Sequence, residues 1–248
     1  MVVVYKNDLT DSEIAYVKVS LPLFQEHAQE IEAGKFNKLY EALVGDSVQK
    51  SAVTKFLYLS GIDPLADADV IHSYMFFNSD VKSVQLTESI TMIDQGAFRA
   101  CTELEKIHFP ANVESLQVLA FHGCEGLKSV SFAEDSHLEL LNSMCFEGCI
   151  NLSQINFPAS LKNIGGAVFK ACKSLKEIIL PNSLEHIGPD CFYGCTSLSK
   201  VYIPDSVESI SQGAFKGCRR LKEIELPSHL RLWRLDEVFP KSCAILWR

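Results

Sequence analysis

Six phenylalanines recur at nearly constant spacing between residues 98 and 215. The intervals between them are 23, 25, 23, 23 and 23 residues, and they stand at Phe98, Phe121, Phe146, Phe169, Phe192 and Phe215. Each is followed by a cysteine three residues later, a leucine six residues later and an isoleucine or valine nine residues later. A single unit of this length cannot bury so many apolar residues, whereas a stack of units can. The spacing therefore predicts a solenoid of repeated coils, one coil for each unit.

Each unit contains a segment in which apolar and polar residues alternate, as in residues 198–204. A period of two predicts a short strand with one buried face, and the closing proline ends the strand because it has no N–H to donate. The spacing of Ala-Phe-x-x-Cys predicts a short helical or 3₁₀ piece on the convex side. We therefore predict an α+β fold: a leucine-rich-repeat solenoid with one parallel sheet of short strands, preceded by a small helical region.

The unit from Leu184 to Pro204 carries the motif Ala-Phe-x-x-Cys-x-x-Leu-x-x-Ile-x-Leu/Ile-Pro with few departures. In this motif the chain resembles the BspA-type leucine-rich repeat of bacteria and some protists, over roughly residues 65–248. The resemblance implies the solenoid fold. Because members of that family are often surface or secreted adhesion proteins, it also implies adhesion as one alternative role.

We expect two parts in the chain, residues 1–61 and residues 62–248, with degenerate terminal coils at 65–87 and 228–248. Extending the 23-residue spacing places Met75 and Val238 at the phenylalanine position of these two coils, and Trp247 at the isoleucine position of the last. Residues 1–61 show helical patterns: a capping box begins at Thr10, and a glycine follows each of three apolar stripes. This region is either a cap over the first coil or a separate partner-binding unit.

The charge and hydropathy of the chain exclude several classes of partner. The chain has 31 acidic and 23 basic residues and a net charge of −8, so we expect no direct binding to nucleic acid. No apolar run approaches the roughly 20 residues that a membrane span needs. The apolar patch at residues 1–5 lacks the preceding basic region of a signal peptide. We expect a cytoplasmic protein, or a secreted one if the native N-terminus has been trimmed.

Catalytic and metal-binding patterns are weak in this sequence. The i, i+4 pairs Cys145/Cys149 and Cys191/Cys195 have a spacing that zinc could use, but they occupy apolar positions of the repeat. We therefore predict a ladder of buried thiols rather than a metal site or disulfides, in keeping with a reducing compartment. No phosphate loop, G-x-S-x-G or H-E-x-x-H motif is present. We predict no enzyme, no catalytic residue, no metal and no cofactor.

The strand residues on either side of the Ile/Val position point away from the core, onto the concave face. Ile179 beside Tyr202, with charged neighbours, has the composition of an interface centre with a polar rim. The acidic end of the face favours a basic patch on the partner. The candidate partner-binding residues are His108, Asn156, Glu177, Ile179, Lys200, Tyr202, Glu223 and Glu225.

A second candidate contact lies at the C-terminal end, at Trp233, Arg234 and Trp247. Tryptophan and arginine are enriched at the energetic centres of interfaces, so a partner or homodimer contact is one interpretation. A cap over the last coil, which would protect the open edge of the sheet, is the other.

We predict a non-enzymatic module that binds a protein partner through the concave face. The first alternative is a secreted or surface adhesin or effector that binds a host protein. The second is an acidic inhibitor that occupies the basic groove of a nucleic-acid-binding or immune protein. A third, an enzyme with its site in or beside the helical region, lacks any supporting motif.

Overall fold

The repeats form two columns of short strands, one more than the sequence pattern indicates. The computed structural model describes residues 2–29, 36–43, 47–65, 68–230 and 234–248. The strands of the first column are β3 (Val81–Gln85), β5 (Lys106–Phe109), β7 (Ser129–Phe132), β9 (Gln154–Ile155), β11 (Glu177–Ile179), β13 (Lys200–Tyr202), β15 (Glu223–Leu226) and β16 (Ala244–Trp247). Those of the second column are β2 (Val70–Ile71), β4 (Met92–Ile93), β6 (Ser115–Leu116), β8 (Leu140–Leu141), β10 (Asn163–Ile164), β12 (His186–Ile187) and β14 (Ser209–Ile210).

The two columns differ in continuity. The second column is an unbroken parallel sheet of seven strands. The first column is the predicted one, and it is divided into the groups β5-β7-β9, β11-β13 and β15-β16. The prediction of a single continuous sheet is therefore wrong in detail. The two-residue strands of the second column form the ladder that runs without a break from β2 to β14.

Alternation along the first column separates the core from a solvent-facing surface. In β5, Ile107 and Phe109 are buried, whereas Lys106 and His108 are exposed. The same order of exposed and buried residues recurs in β15. This confirms the predicted strand with one buried face.

A ladder of stacked phenylalanine rings runs through the core. Neighbouring ring centroids lie 4.8–5.7 Å apart, with planes within 16° of parallel. The ladder comprises Phe76, Phe98, Phe121, Phe146, Phe169, Phe192, Phe215 and Phe239. The predicted positions of Met75 and Val238 are each wrong by one residue, because the first and last intervals of the ladder are 22 and 24 residues.

The segment around each phenylalanine is a series of turns rather than the predicted helical piece. The residues two before and two after Phe121, Leu119 and Gly123, have φ angles of 63° and 70°. Backbone in this left-handed region cannot continue a right-handed helix. The same two positions are left-handed around Phe146, at Met144 and Gly148.

The predicted cysteine ladder is confirmed. Each of six thiols donates a hydrogen bond to the carbonyl of the phenylalanine one coil earlier, at Sγ–O distances of 2.9–3.3 Å. These cysteines are Cys101, Cys124, Cys149, Cys172, Cys195 and Cys218, and all are free and buried. Cys145 and Cys191 are also buried, and burial raises the pKa of both thiols. The thiols therefore serve as small core residues that also join successive coils.

The N-terminal region contains α1 (Asp11–Glu26), α2 (Asn37–Ala42) and α3 (Ser47–Leu59). The capping box is confirmed: Glu13 N donates to Thr10 Oγ1 at 3.3 Å, and Thr10 N donates to Glu13 Oε2 at 2.7 Å. Gly61, with φ 79°, follows the end of α3 as predicted. The other two predicted stop signals, Gly34 and Gly45, lie outside the described residues.

Residues 2–5 precede the predicted helical stripes and are extended. They form β1 (Val2–Tyr5), which pairs antiparallel with β3 of the first column. This pairing attaches the start of the chain to the first coil. The division into parts at residue 61 stays a prediction.

The last coil is shorter than the others and ends in an exposed strand. Phe239 and Ile245 are six residues apart, against nine in the preceding coils, and Ile245 pairs with Ile224. Trp247 therefore pairs with Leu226 instead of taking the predicted isoleucine position, and its side chain is 50% exposed. A short helix, α4 (Leu235–Val238), precedes this strand. Among the described helices, none has the length and apolar character that crossing a bilayer requires.

Candidate functional site: the strand face

The outward-pointing side chains of the first column form one surface, which we call the strand face. All eight candidate partner-binding residues lie on it and are exposed. Seven of them lie on four strands, β5, β11, β13 and β15, and Asn156 directly follows β9. The structure thus places the predicted residues on one surface, and their role in binding stays a prediction.

Ile179 and Tyr202 lie side by side at the centre of the strand face. They are partners in the parallel register of β11 and β13, and their side chains are 68% and 48% exposed. Glu177 and Lys200 are partners in the same register, two residues earlier on each strand. An exposed apolar pair is thus bordered by charges of opposite sign.

A groove of about 810 Å³ lies beside Ile179, over the division between β9 and β11. Its polar lining comes from hydroxyl and amide side chains that include Ser131, Gln154 and Asn156, together with Glu177. No backbone hydrogen bond between these two described strands closes the sheet there. The groove therefore combines hydrogen-bonding side chains with an apolar residue at its edge.

His108 occupies the other end of the strand face. Its Nδ1 lies 3.0 Å from Ser131 Oγ, one coil further along. This hydrogen bond orients the imidazole along the column and connects it to the groove that Ser131 lines. The histidine is thus positioned as a polar side chain at the edge of the groove.

Arg248 covers part of Tyr202, a contact that no sequence pattern indicates. The guanidinium carbon lies 5.1 Å from the centre of the Tyr202 ring. Arg248 also donates to the Ile203 carbonyl and forms an ion pair with Asp205 at 3.0 Å. One face of the Tyr202 ring is therefore occupied by a cation.

The C-terminal strand extends the strand face through Leu246, whereas Trp247 pairs with the buried Leu226 and alternates to the other side of the strand. Strand β16 is the last of the first column, and Leu246, which is 45% exposed, pairs with Glu225 on β15. Trp247 follows Leu246 on the same strand, whereas Arg234 lies before α4 and forms an ion pair with Glu237. Trp233 lies outside the described residues. The C-terminal strand thus extends the strand face past its acidic pair, Glu223 and Glu225.

The described residues contain no group of three or more His, Cys, Asp or Glu side chains arranged to hold a metal ion. Cys243 is the one half-buried thiol among the nine cysteines, and burial raises its pKa to about 11. A thiol of raised pKa is a weak nucleophile at neutral pH. The chemistry that the strand face offers is therefore apolar contact, hydrogen bonding and charge.

Comparison with known proteins agrees with this architecture. The sequence matches the BspA type leucine rich repeat region in six copies, over residues 69–169 and 139–235. The chain belongs to the BspA-type leucine-rich repeat family. Leucine-rich repeats of this kind are typically non-enzymatic modules for protein interaction. A comparison with curated proteins gave no match.

Two solved structures are similar to this BspA-type chain. A leucine-rich repeat protein from Bacteroides ovatus is 34% identical, with a TM-score of 0.65 over 71% of this chain and 44% of that one. A leucine-rich repeat protein from Eubacterium ventriosum is 27% identical, with a TM-score of 0.56 over 60% of this chain and 40% of that one. The chain therefore spans less than half the length of these two proteins.

Proposed function

We propose that this protein is a non-catalytic module that binds a protein partner through the strand face, with Ile179 and Tyr202 as apolar anchors. The observation that carries the proposal is the register of β11 and β13, which sets two exposed apolar side chains side by side beside a groove. Large apolar side chains bordered by polar ones are typical of the centre of an interface.

The charges of the strand face define the kind of partner. Glu223 and Glu225 are exposed on β15, and Glu177 borders the groove. A partner segment that places an apolar side chain on Ile179 and a basic side chain near β15 would match both features.

The test begins with capture of binding proteins by the purified chain, from a cell lysate and separately from surface and secreted proteins. The recovered partner is then purified, and its affinity is measured for the wild type and for the Ile179→Asp, Tyr202→Asp double variant. We expect the double variant to bind at least about tenfold more weakly, since it places charge in the apolar centre.

Two variants serve as matched controls for charge and exposure. Val19→Asp changes an apolar residue on α1 that is 71% exposed, and Tyr193→Asp changes a tyrosine outside the first column that is 40% exposed. Both should leave the affinity unchanged, and thermal melts should show all variants folded. Equal loss in the controls, or full affinity in the double variant, would exclude the strand face as the binding surface. Recovery of a partner only from surface proteins would favour the adhesin alternative.

A further inference from the structure

A second cavity lies far from the strand face, where α3 meets the turns of the first two coils. It has a volume of about 420 Å³, within the range of small-molecule sites. We call it the junction pocket, and its lining residues are Ser47, Lys50, Ser73, Tyr74, Phe77 and Arg99. The helices of the N-terminal region provide one wall, so the later coils have no equivalent of it.

Two cationic side chains, Lys50 and Arg99, line the junction pocket. Within the described residues, neither the Lys50 ammonium nor the Arg99 guanidinium forms an ion pair. Burial lowers the pKa of Lys50, and Asp94 opposes this effect. Asp94 Oδ2 accepts a hydrogen bond from Ser73 Oγ at 2.5 Å. The pocket lining thus carries two positive groups in a chain whose net charge is −8.

The aromatic wall of the junction pocket is held in place before any ligand binds. The Tyr74 ring packs so closely on Gly96 that a Cβ there would lie 2.5 Å from a ring carbon. Gln95 Nε2 also donates to the Tyr74 hydroxyl at 3.1 Å. Arg99 lies over the Phe77 ring, 5.8 Å from its centre, and the Phe77 ring meets Tyr74 edge-on at 6.1 Å. A fixed wall lowers the ordering cost of binding.

We propose that the junction pocket binds a small aromatic phosphate monoester, with the phosphate between Lys50 and Arg99 and the ring against Phe77 and Tyr74. Guanidinium and ammonium groups are the side chains that proteins use to bind phosphate. The hydroxyls of Ser47 and Ser73 supply further hydrogen-bonding groups around the anion. This site is independent of the strand face and adds a small-molecule ligand to a protein-binding module.

Titration calorimetry of the full chain with phenyl phosphate tests the proposal, with inorganic phosphate as a separate arm. We expect Arg99→Gln and Lys50→Gln each to weaken phenyl phosphate binding at least about tenfold, the cost of one charge-assisted contact. Inorganic phosphate should bind the wild type more weakly than phenyl phosphate, because it lacks the ring.

Lys176→Gln, which removes an exposed lysine before β11, is the control and should leave the affinity unchanged. Thermal melts establish that each variant is folded, and either pocket variant alone is sufficient for the test. No binding at about 10 mM phenyl phosphate, weaker than any specific site of this kind, would overturn the proposal. Unchanged affinity in both pocket variants would overturn it as well, and equal affinity for the two phosphates would overturn the role of the aromatic wall.

Discussion

The solenoid and the N-terminal region bury their interiors in different ways. In the solenoid the same contacts recur in every coil: a phenylalanine ring on the next ring, and a thiol on the preceding carbonyl. In the N-terminal region each contact occurs once. The two regions thus illustrate stabilisation by repetition and stabilisation by particular contacts.

The contacts that join the N-terminal region to the first coil include a buried charge cluster. Lys55 is 2% exposed, and its Nζ lies 2.8 Å from Asp80 Oδ1 and 3.3 Å from Glu13 Oε1. The ammonium also lies over the Tyr5 ring, 5.6 Å from its centre. This cluster connects α1, α3, β1 and the first coil at one point, so loss of one member affects all four elements.

The largest effect is expected from breaking the phenylalanine ladder. Phe146→Ala removes a fully buried ring that stacks on Phe121 and Phe169, and we expect a loss of about 3–5 kcal/mol of unfolding free energy. Urea denaturation followed by circular dichroism measures it. Phe24→Ala, on α1, is the control from the N-terminal region. Phe24 is only half-buried, so its truncation should lower the unfolding free energy by less. Equal losses would mean that a stacked, fully buried ring of the ladder contributes no more to stability than a half-buried ring outside it.

A smaller, local effect is expected at the charge cluster. Lys55→Met leaves Glu13 and Asp80 facing each other without a cation, and we expect a loss of about 2–3 kcal/mol. This loss is smaller than the loss expected on breaking a fully buried ion pair, because both carboxylates are about one-fifth exposed to solvent. Hydrogen exchange should show lost protection in β1 and α1 while the central coils keep theirs.

The matching change in the solenoid is Lys170→Met, which breaks the ion pair with Glu147, where the lysine is 39% exposed against 2% for Lys55. It should change the unfolding free energy by less than about 1 kcal/mol, as surface pairs do. If Lys170→Met and Lys55→Met cost the same, or if Lys55→Met exposes the whole solenoid to exchange, the contrast between the two regions fails.

Periodicity explains which parts of the fold the sequence predicted. The buried alternation of β5 and β15 repeats a pattern that six copies establish, and the exposure of the candidate residues follows directly from it. The second column escaped prediction because strands of two residues are too short to show alternation. In the two outermost coils the predicted ladder position is one residue too early, because ring stacking and not a constant residue count determines which residue joins the ladder.

Periodicity does not predict contacts between parts of the chain that are distant in sequence. The pairing of β1 with β3, the Lys55 cluster and the approach of Arg248 to Tyr202 each occur once, so no repeat signals them. The same holds for the junction pocket, where Lys50 and Arg99 are brought together only by the docking of α3. The repeat pattern therefore predicts which side chains lie on the surface of the solenoid. Contacts between distant parts of the chain determine which of them are covered, as Arg248 covers Tyr202.

The smallest effect is expected within one coil, where two buried cysteines have different contacts. Cys195 donates to the Phe169 carbonyl at 3.1 Å, whereas Cys191 takes a position that alanine fills in other coils. Cys195→Ala should therefore cost about 1 kcal/mol more than Cys191→Ala in urea denaturation, the net value of one hydrogen bond. Both variants remove one sulfur atom from a fully buried site, so the difference in cost reports the contacts of the two thiols with neighbouring coils and not their volume. Equal costs would show that the thiols act by volume alone, and the ladder would then be held by its rings.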